Sequence, residues 1–358
     1  MNRYKPIFTL PPFTVEKVMT TFAQSKDWGL VALNVPDTWK VTKGANVTVL
    51  VLDTGCPATK TSSGVAIHPD LKNNIIINKC KSFVAGEDIY DYNGHSSMCC
   101  GIIGGEDNEI GYVGYAPECR LITYKVLGRN GSGSINSIEN ALRDAIKLRP
   151  DIVSMSLGAT VSTPEIEKCI KILDSMNIPV ICEAGNGGAA EGVNYPAKHA
   201  ESFAIAAYDA QFKIANFSAV GPEVDFAFPG VNIVGTYLNN GYATMNGTSF
   251  ACPACAGVVA LMLSKHKKQF IETGKNDCIT TWDVYDHLKK YSINKDKPGT
   301  KDDKWGWGMI DVSKLILEDG STTNPTAPKP NNATKASSCK LKSFVLKLID
   351  WLSTYLHK

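Results

Sequence analysis

The run Val47-Thr48-Val49-Leu50-Val51-Leu52 ends abruptly at Asp53-Thr54-Gly55. It is β-branched and aliphatic without the polar alternation of a half-exposed strand, which predicts a strand buried on both faces. Such a strand needs helices above and below it, and the downstream chain supplies them in alternation. The pattern predicts helix over 95–104, strand over 120–126, helix over 134–148, strand over 152–156 and helix over 164–176. Strands over 178–183 and 203–206 and a helix over 282–291 come next. Strand–helix alternation builds an α/β fold with a mainly parallel sheet between two layers of helices. Ligands of such sheets bind at the carboxyl ends of the strands, where Asp53, Ser156 and residues 183–186 emerge.

The 358 residues are 44% hydrophobic and 20% charged, ample for one large core with extensions. A net charge of +2 gives no global reason to expect nucleic acid as a partner. No apolar run stands out as a membrane span, and residues 1–14 lack the continuous apolar core of a secretory signal, so a cytoplasmic location is expected. Eleven cysteines are many, but several sit in apolar patterns, as Cys182 does within 178–184. Without an export signal they read as small hydrophobes in a reducing compartment. Cys252 and Cys255 fall inside a helix pattern with no second ligand pair, and read as structural.

The two ends differ from the middle. Leu10-Pro11-Pro12-Phe13 must be extended, because proline disfavours helix at and before itself. Residues 15–22 read as a short helical turn. Residues 321–340 are Ser/Thr/Asn/Pro/Lys-rich and form a flexible linker. Residues 341–358 form an amphipathic helix, with Ser343, Lys347, Asp350, Thr354 and His357 on one stripe. Its wide apolar face calls for cover: a membrane surface, a protein partner, the main body or its own copy in a homodimer.

The densest chemical signal is Asn246-Gly247-Thr248-Ser249-Phe250-Ala251-Cys252-Pro253. Small residues continue into the apolar run 258–263, so Ser249 falls in the first turn of a buried helix, where free backbone N–H groups favour a developing oxyanion. Alone, the pattern reads first as an N-cap at Thr248 or Ser249. Two other stretches change its meaning. A serine nucleophile needs a base, and the base needs an orienting carboxylate. Asp53 ends a buried strand, and His95, in Asp91-Tyr92-Asn93-Gly94-His95, starts a helix of small residues.

In this order and with these flanks the chain resembles the subtilisin family of serine proteases, over about residues 23–317. Asp53-Thr54-Gly55, Asn93-Gly94-His95 and the stretch 247–253 match the three catalytic blocks. Ser154-Met155-Ser156-Leu157-Gly158 matches the substrate-binding strand, and Ala184-Gly185-Asn186 the oxyanion block. The resemblance implies a subtilisin-like three-layer α/β/α endopeptidase with Ser249 as nucleophile, His95 as base and acid, Asp53 as orienting carboxylate and Asn186 as oxyanion donor. Residues 23–320 would be the catalytic domain. The first specificity pocket would be walled by Ser156, Leu157 and Gly158, by Ala184, Gly185 and Asn186, and by Asn194. None of these is charged, so an uncharged side chain is expected there. Ser96-Ser97-Met98 after the histidine and Ala254-Cys255 after Pro253 depart from the family's usual residues, and both are packing positions.

The resemblance also implies Ca2+, held by Gln24, Asp70, Asn108 and the carbonyls of Glu106, Ile110 and Tyr112. His68, in His-Pro-Asp-Leu, belongs to that segment and is not the base. Residues 1–22 resemble the short inhibitory extension of intracellular subtilisins, with Leu10-Pro11-Pro12-Phe13 laid across the active site of a zymogen. The alternative reading is a catalytically weak peptide-binding module of the same fold, or a processing factor tethered to a membrane. Residues 56–67 have no counterpart in the pattern.

Overall fold

A computed structural model of the chain describes residues 7–20, 23–62, 64–274 and 279–318. Two N-terminal strands, β1 (Ile7–Thr9) and β2 (Thr14–Met19), precede two short helices, α1 (Trp28–Ala32) and α2 (Val35–Thr38). The apolar run is strand β3 (Thr48–Asp53), buried from Val49 to Asp53. A hairpin of β4 (Ala58–Thr61) and β5 (Gly64–Ile67) and a short strand β6 (Lys81–Ser82) lead to helix α3 (His95–Gly104). The alternation then runs β7 (Arg120–Lys125), β8 (Ser132–Ser134), α4 (Ile135–Leu148), β9 (Ile152–Met155), α5 (Pro164–Ser175) and β10 (Val180–Glu183). After α6 (Gly188–Glu191) come β11 (Ser202–Tyr208), β12 (Val224–Pro229), β13 (Ile233–Thr236), β14 (Tyr242–Asn246), α7 (Thr248–Thr273) and α8 (Thr281–Lys290).

Seven strands form one sheet in the order β12-β11-β10-β9-β3-β7-β6, every neighbouring pair parallel. Helices α3 and α7 pack together in one layer and α4 and α5 in the other, the three-layer α/β/α arrangement. The strands are apolar because both faces are covered. The helices start where capping chemistry allows. Ser134 accepts the Ser137 N–H at the head of α4, and Thr163 accepts that of Ile166 just before Pro164, the first residue of α5.

Helix α7 is long and apolar enough to cross a bilayer, a length the apolar run 258–263 alone does not suggest. Residues 248–264 of it are instead buried inside the protein, against β9, β10, β11 and β12.

Local pattern misjudges one element. Residues 14–19 are strand β2 and not a helical turn, paired antiparallel with β14, Val18 opposite Ala243. Most of this strand is exposed, so its conformation comes from hydrogen bonds to β14, a partner more than 200 residues away that no local pattern reveals. Residues 58–67 contain the antiparallel β4–β5 hairpin, Ala58 opposite Ile67. The linker 321–340 and the helix 341–358 lie outside the described residues.

Helix α3 lies so close to β13 that a β-carbon at Gly101 would overlap Thr236 Oγ1 and stand 2.8 Å from the Thr236 amide nitrogen. Thr236 Oγ1 in turn donates to the Ser97 carbonyl at 2.6 Å. Because backbone cannot step aside, Gly101→Val should destabilise the protein by about 1–3 kcal/mol. Thermal denaturation should show a melting temperature several degrees lower; an unchanged value would mean that this approach has room for a larger side chain.

Candidate active site

Asp53 ends β3 at the carboxyl edge of the sheet, fully buried. Its Oδ1 and Oδ2 lie 2.9 and 3.0 Å from His95 Nδ1, and Oδ1 also accepts the Thr54 N–H at 2.7 Å. This contact places the Nδ1 proton toward the carboxylate and leaves Nε2 facing the cleft. The loop carrying His95 is built around Asp91. Its Oδ1 accepts from Thr54 Oγ1, Asn93 N and Gly94 N, each at 2.9 Å. Its Oδ2 accepts from Ser97 N at 2.8 Å and Ser97 Oγ at 2.7 Å. Gly94 turns with φ +95°, and a β-carbon there would overlap the Tyr237 ring. Under Asp53 sits Lys125, fully buried, with Nζ 2.5 Å from the Thr54 carbonyl and 3.1 Å from Glu87 Oε2. Asp91 and Lys125 are buried charges whose partners come from other segments, so the motif pattern alone does not single them out.

Ser249 lies in the first turn of α7. Pro253, four residues on, has no N–H to donate to the Ser249 carbonyl. That carbonyl accepts instead from Ser156 Oγ at 2.8 Å and from the Cys99 thiol at 3.5 Å. Ser156, proposed from sequence as a pocket wall, therefore spends its side-chain hydrogen bond on the turn of α7. Cys99 Sγ is also 3.8 Å from His95 Nδ1, and burial pushes its thiol pKa well up, which keeps it protonated. Among the described residues, Asp53, His95 and Cys99 form one cluster of groups capable of holding a metal. The nine described cysteines are free and buried, Cys252 and Cys255 among them. His95 Nε2 and Ser249 Oγ are buried and have no hydrogen-bond partner among the described residues.

Asn186, beyond β10, is oriented by Thr248. Its Oδ1 accepts the Thr248 N–H at 2.9 Å and faces Thr248 Oγ1 at 2.6 Å, which turns Nδ2 outward. Thr248 Oγ1 also lies 2.5 Å from Glu183 Oε2. Glu183 is fully buried, and burial raises its pKa to about 7. Leu157, Gly158, Ala184 and Gly185 are all buried, and the two glycines border Asn194. A β-carbon at Gly158 would stand 3.0 Å from Glu183 Oε1 and 3.1 Å from Asn194 Cβ, and one at Gly185 would stand 2.8 Å from Asn194 Nδ2. The Asn194 N–H donates to the Ala184 carbonyl at 3.0 Å, and Tyr195 pairs with Ala159. The segments around 158, 184–185 and 194 thus pack against one another, with Glu183 Oε1 against Gly158.

The N-terminal segment runs through this cleft. Strand β1 pairs antiparallel with β8, Phe8 opposite Gly133. Thr9 and Gly158 exchange N–H···O bonds of 3.0 Å, and the Leu10 N–H donates to the Gly131 carbonyl at 2.9 Å. The Pro12 carbonyl accepts from Asn186 Nδ2 at 2.8 Å. The Phe13 ring lies 5.1 Å from that of His95 and 6.2 Å, edge-on, from Phe250.

A second cluster stands away from the cleft. Gln24 Nε2 is 2.8 Å from the Glu106 carbonyl, 3.3 Å from Asn108 Oδ1 and 3.5 Å from the Ile110 carbonyl. Asp70 accepts from Asn108 Nδ2 at 2.9 Å, Tyr242 OH at 2.8 Å and Tyr112 N at 3.2 Å, and its burial raises its pKa. The Glu106 carboxylate turns away to Asn73, and Tyr112 is joined to the cluster through its N–H. His68 is held neutral: burial lowers its pKa to about 4, Nδ1 accepts the Asp70 N–H at 3.2 Å, and Nε2 lies 3.0 Å from the Gly241 carbonyl.

Comparison with known proteins identifies the family. The profile of the subtilase family, peptidase S8, matches residues 44–308. The chain is 37% identical to the major intracellular serine protease of Bacillus subtilis over 270 residues, 73% of this chain and 82% of that protein. It is 36% identical to an intracellular serine protease of Paenibacillus polymyxa over 272 residues, 74% of this chain and 79% of the other. With a thermostable alkaline protease of Halalkalibacterium halodurans the identity is 38% over 248 residues, 69% of this chain and 65% of that one. A strand-end aspartate beside a helix-start histidine, a serine in the first turn of a buried helix and a family match over most of the chain lead to one conclusion: this protein belongs to the subtilase family, the subtilisin-like serine proteases.

Proposed function

We propose that the protein is an endopeptidase, made as a zymogen, that cuts polypeptides through Ser249, His95 and Asp53. Ser249 Oγ attacks the scissile carbonyl carbon while His95 Nε2 takes its proton; Asp53 stabilises the imidazolium formed. Asn186 Nδ2 and the Ser249 N–H donate to the oxyanion. The proton on Nε2 then passes to the leaving amine, and water, deprotonated by His95, releases the acyl group. The observation that carries this reading is the Pro12 carbonyl, held 2.8 Å from Asn186 Nδ2 by an extended segment already paired with Gly158. That is the position a scissile carbonyl would take in a peptide added as an extra strand.

The same observation supports an inhibitory role for residues 1–22. The segment takes the path of a substrate, yet proline stands on the acyl side of the Pro12–Phe13 bond, and Phe13 covers His95. Immediately after Phe13, strand β2 is anchored on β14, which retains the segment across the site. Names of relatives support an intracellular setting.

Calcium is proposed at the second cluster. The Gln24 amide nitrogen faces three oxygens, and turning that amide over would complete an all-oxygen shell with the Asp70 carboxylate, suited to a hard divalent cation. Its role there would be to tie the Gln24 segment to the 106–110 loop.

Three measurements test these readings. Ser249→Ala should reduce casein hydrolysis by at least about 10³-fold, a scale set by other members of this family, without changing the circular dichroism spectrum. Retained hydrolysis would displace Ser249 as nucleophile. A chain starting at Ala23 should hydrolyse casein without the lag of the full chain, and a peptide of residues 9–18 should inhibit it. Strand β2 is mostly exposed, Val15 at 42% and Val18 at 59%, and the truncation also removes Phe8 of β1, a fully buried side chain. A full chain active from the first minute and never trimmed would count against the inhibitory segment. Finally, millimolar Ca2+ should raise the melting temperature of the Ser249→Ala chain by several degrees, since 100-fold excess over Kd is worth about 2.7 kcal/mol. Asp70→Ala should abolish that rise; equal melting temperatures in Ca2+ and EGTA would remove the site.

A further inference from the structure

The acyl-transfer steps make no use of Glu183, yet its carboxyl group lies against Gly158, the residue that pairs with Thr9 of the segment in the cleft. It is fully buried at the end of β10, three residues before Asn186. One oxygen, Oε2, is engaged by Thr248 Oγ1 at 2.5 Å. The other, Oε1, has no hydrogen-bond partner among the described residues. It stands where Gly158 lacks a side chain, 3.0 Å from the position a β-carbon would take, with Asn194 alongside. A buried acceptor left without a donor is costly, and the cost is recovered when a ligand supplies one.

The Thr248 hydroxyl donates to Glu183 Oε2 at 2.5 Å, so Oε2 is engaged and Oε1 is the oxygen left facing Gly158. A cation arriving at Oε1 would form a charge-assisted pair in a water-poor site.

We propose that Glu183 is the specificity-determining residue of the first substrate pocket and selects lysine or arginine on the acyl side of the scissile bond, with the cationic head donating to Oε1. The proposal rests on the reading that peptides are cut at Ser249. It revises the expectation of an uncharged side chain, which counts residues 156–158, 184–186 and 194 and leaves out the residue before Ala184. Lysine and arginine bring a cationic donor on a long, flexible stem to such an acceptor, and acidic side chains are repelled once Glu183 ionises. Pro12, whose carbonyl is at Asn186, has a ring with no donor to offer Oε1. The N-terminal segment therefore occupies the cleft without satisfying the pocket.

The test uses the full chain, incubated until a fluorophosphonate probe labels it, and a set of peptides that differ only in the residue before the cut. kcat/KM for lysine and arginine should exceed that for leucine and phenylalanine by at least about tenfold, and Glu183→Gln should lower that ratio by a similar factor. If Glu183→Gln does not fold, the wild-type chain should still be labelled at least about tenfold faster by an arginyl than by a phenylalanyl phosphonate. A chain that labels and cuts mainly after uncharged residues, or a Glu183→Gln ratio equal to wild type, would overturn this proposal and leave the peptidase reading standing. A chain that neither labels nor cuts would overturn the peptidase reading, and this one with it.

Discussion

The carbonyl of Ser249 is the joint on which the geometry depends. In an ordinary helix it would be consumed by the N–H four residues on; Pro253 leaves it free. Ser156 Oγ reaches it from the end of the sheet at 2.8 Å and Cys99 Sγ from α3 at 3.5 Å. One acceptor thus links the helix that carries Ser249, the strand that borders the substrate and the helix that begins with His95. Since α3 is also tied to β3 through His95 and Asp53, the three key side chains are referenced to one another through short contacts. This explains why a proline persists inside a helix, where an interior proline would ordinarily be damaging.

Around that joint the protein buries an unusual density of polar groups at the carboxyl ends of its strands. Asp53, Asp91, Lys125 and Glu183 are all nearly or wholly inaccessible. Burial of a charge is tolerated only when hydrogen bonds replace water. Asp91 meets this with five donors, four of them from the short loop and first turn of α3, which it thereby shapes. Lys125 meets it with the Thr54 and Tyr90 carbonyls and with Glu87. Glu183 meets it on one oxygen only. The difference separates groups that hold the site together from one that has capacity left over for a ligand.

Occupation of the cleft by the chain's own N-terminus uses main-chain hydrogen bonds at Thr9 and Leu10, which place few demands on sequence. Specific content enters only at Pro12 and Phe13. The proline carbonyl sits at Asn186, and the aromatic ring next to it closes over His95 and Phe250. Burial of His95 Nε2 and Ser249 Oγ beneath this segment belongs to the same arrangement.

The sequence by itself determined the elements whose cause is local. The unbroken apolar run of β3, the amphipathic period of α4 and α5 and their Ser134 and Thr163 caps are written in neighbouring residues, as are the motifs around Asp53, His95 and Ser249. Those motifs placed three reactive groups at the ends of predicted elements, and a parallel sheet brings such ends to one edge. Tertiary structure decided everything that depends on a distant partner. Residues 14–19 are a strand because β14 offers hydrogen bonds, and Ser156 turns to α7 because Pro253 frees a carbonyl there. Asp91, Lys125 and Glu183 look like ordinary charged residues in sequence. Only the fold removes water from them, and only then does each need a partner, which Glu183 Oε1 still lacks. The physical reason is the same in each case: hydrogen-bond satisfaction is settled in space, after the chain has packed, and has no period along the sequence.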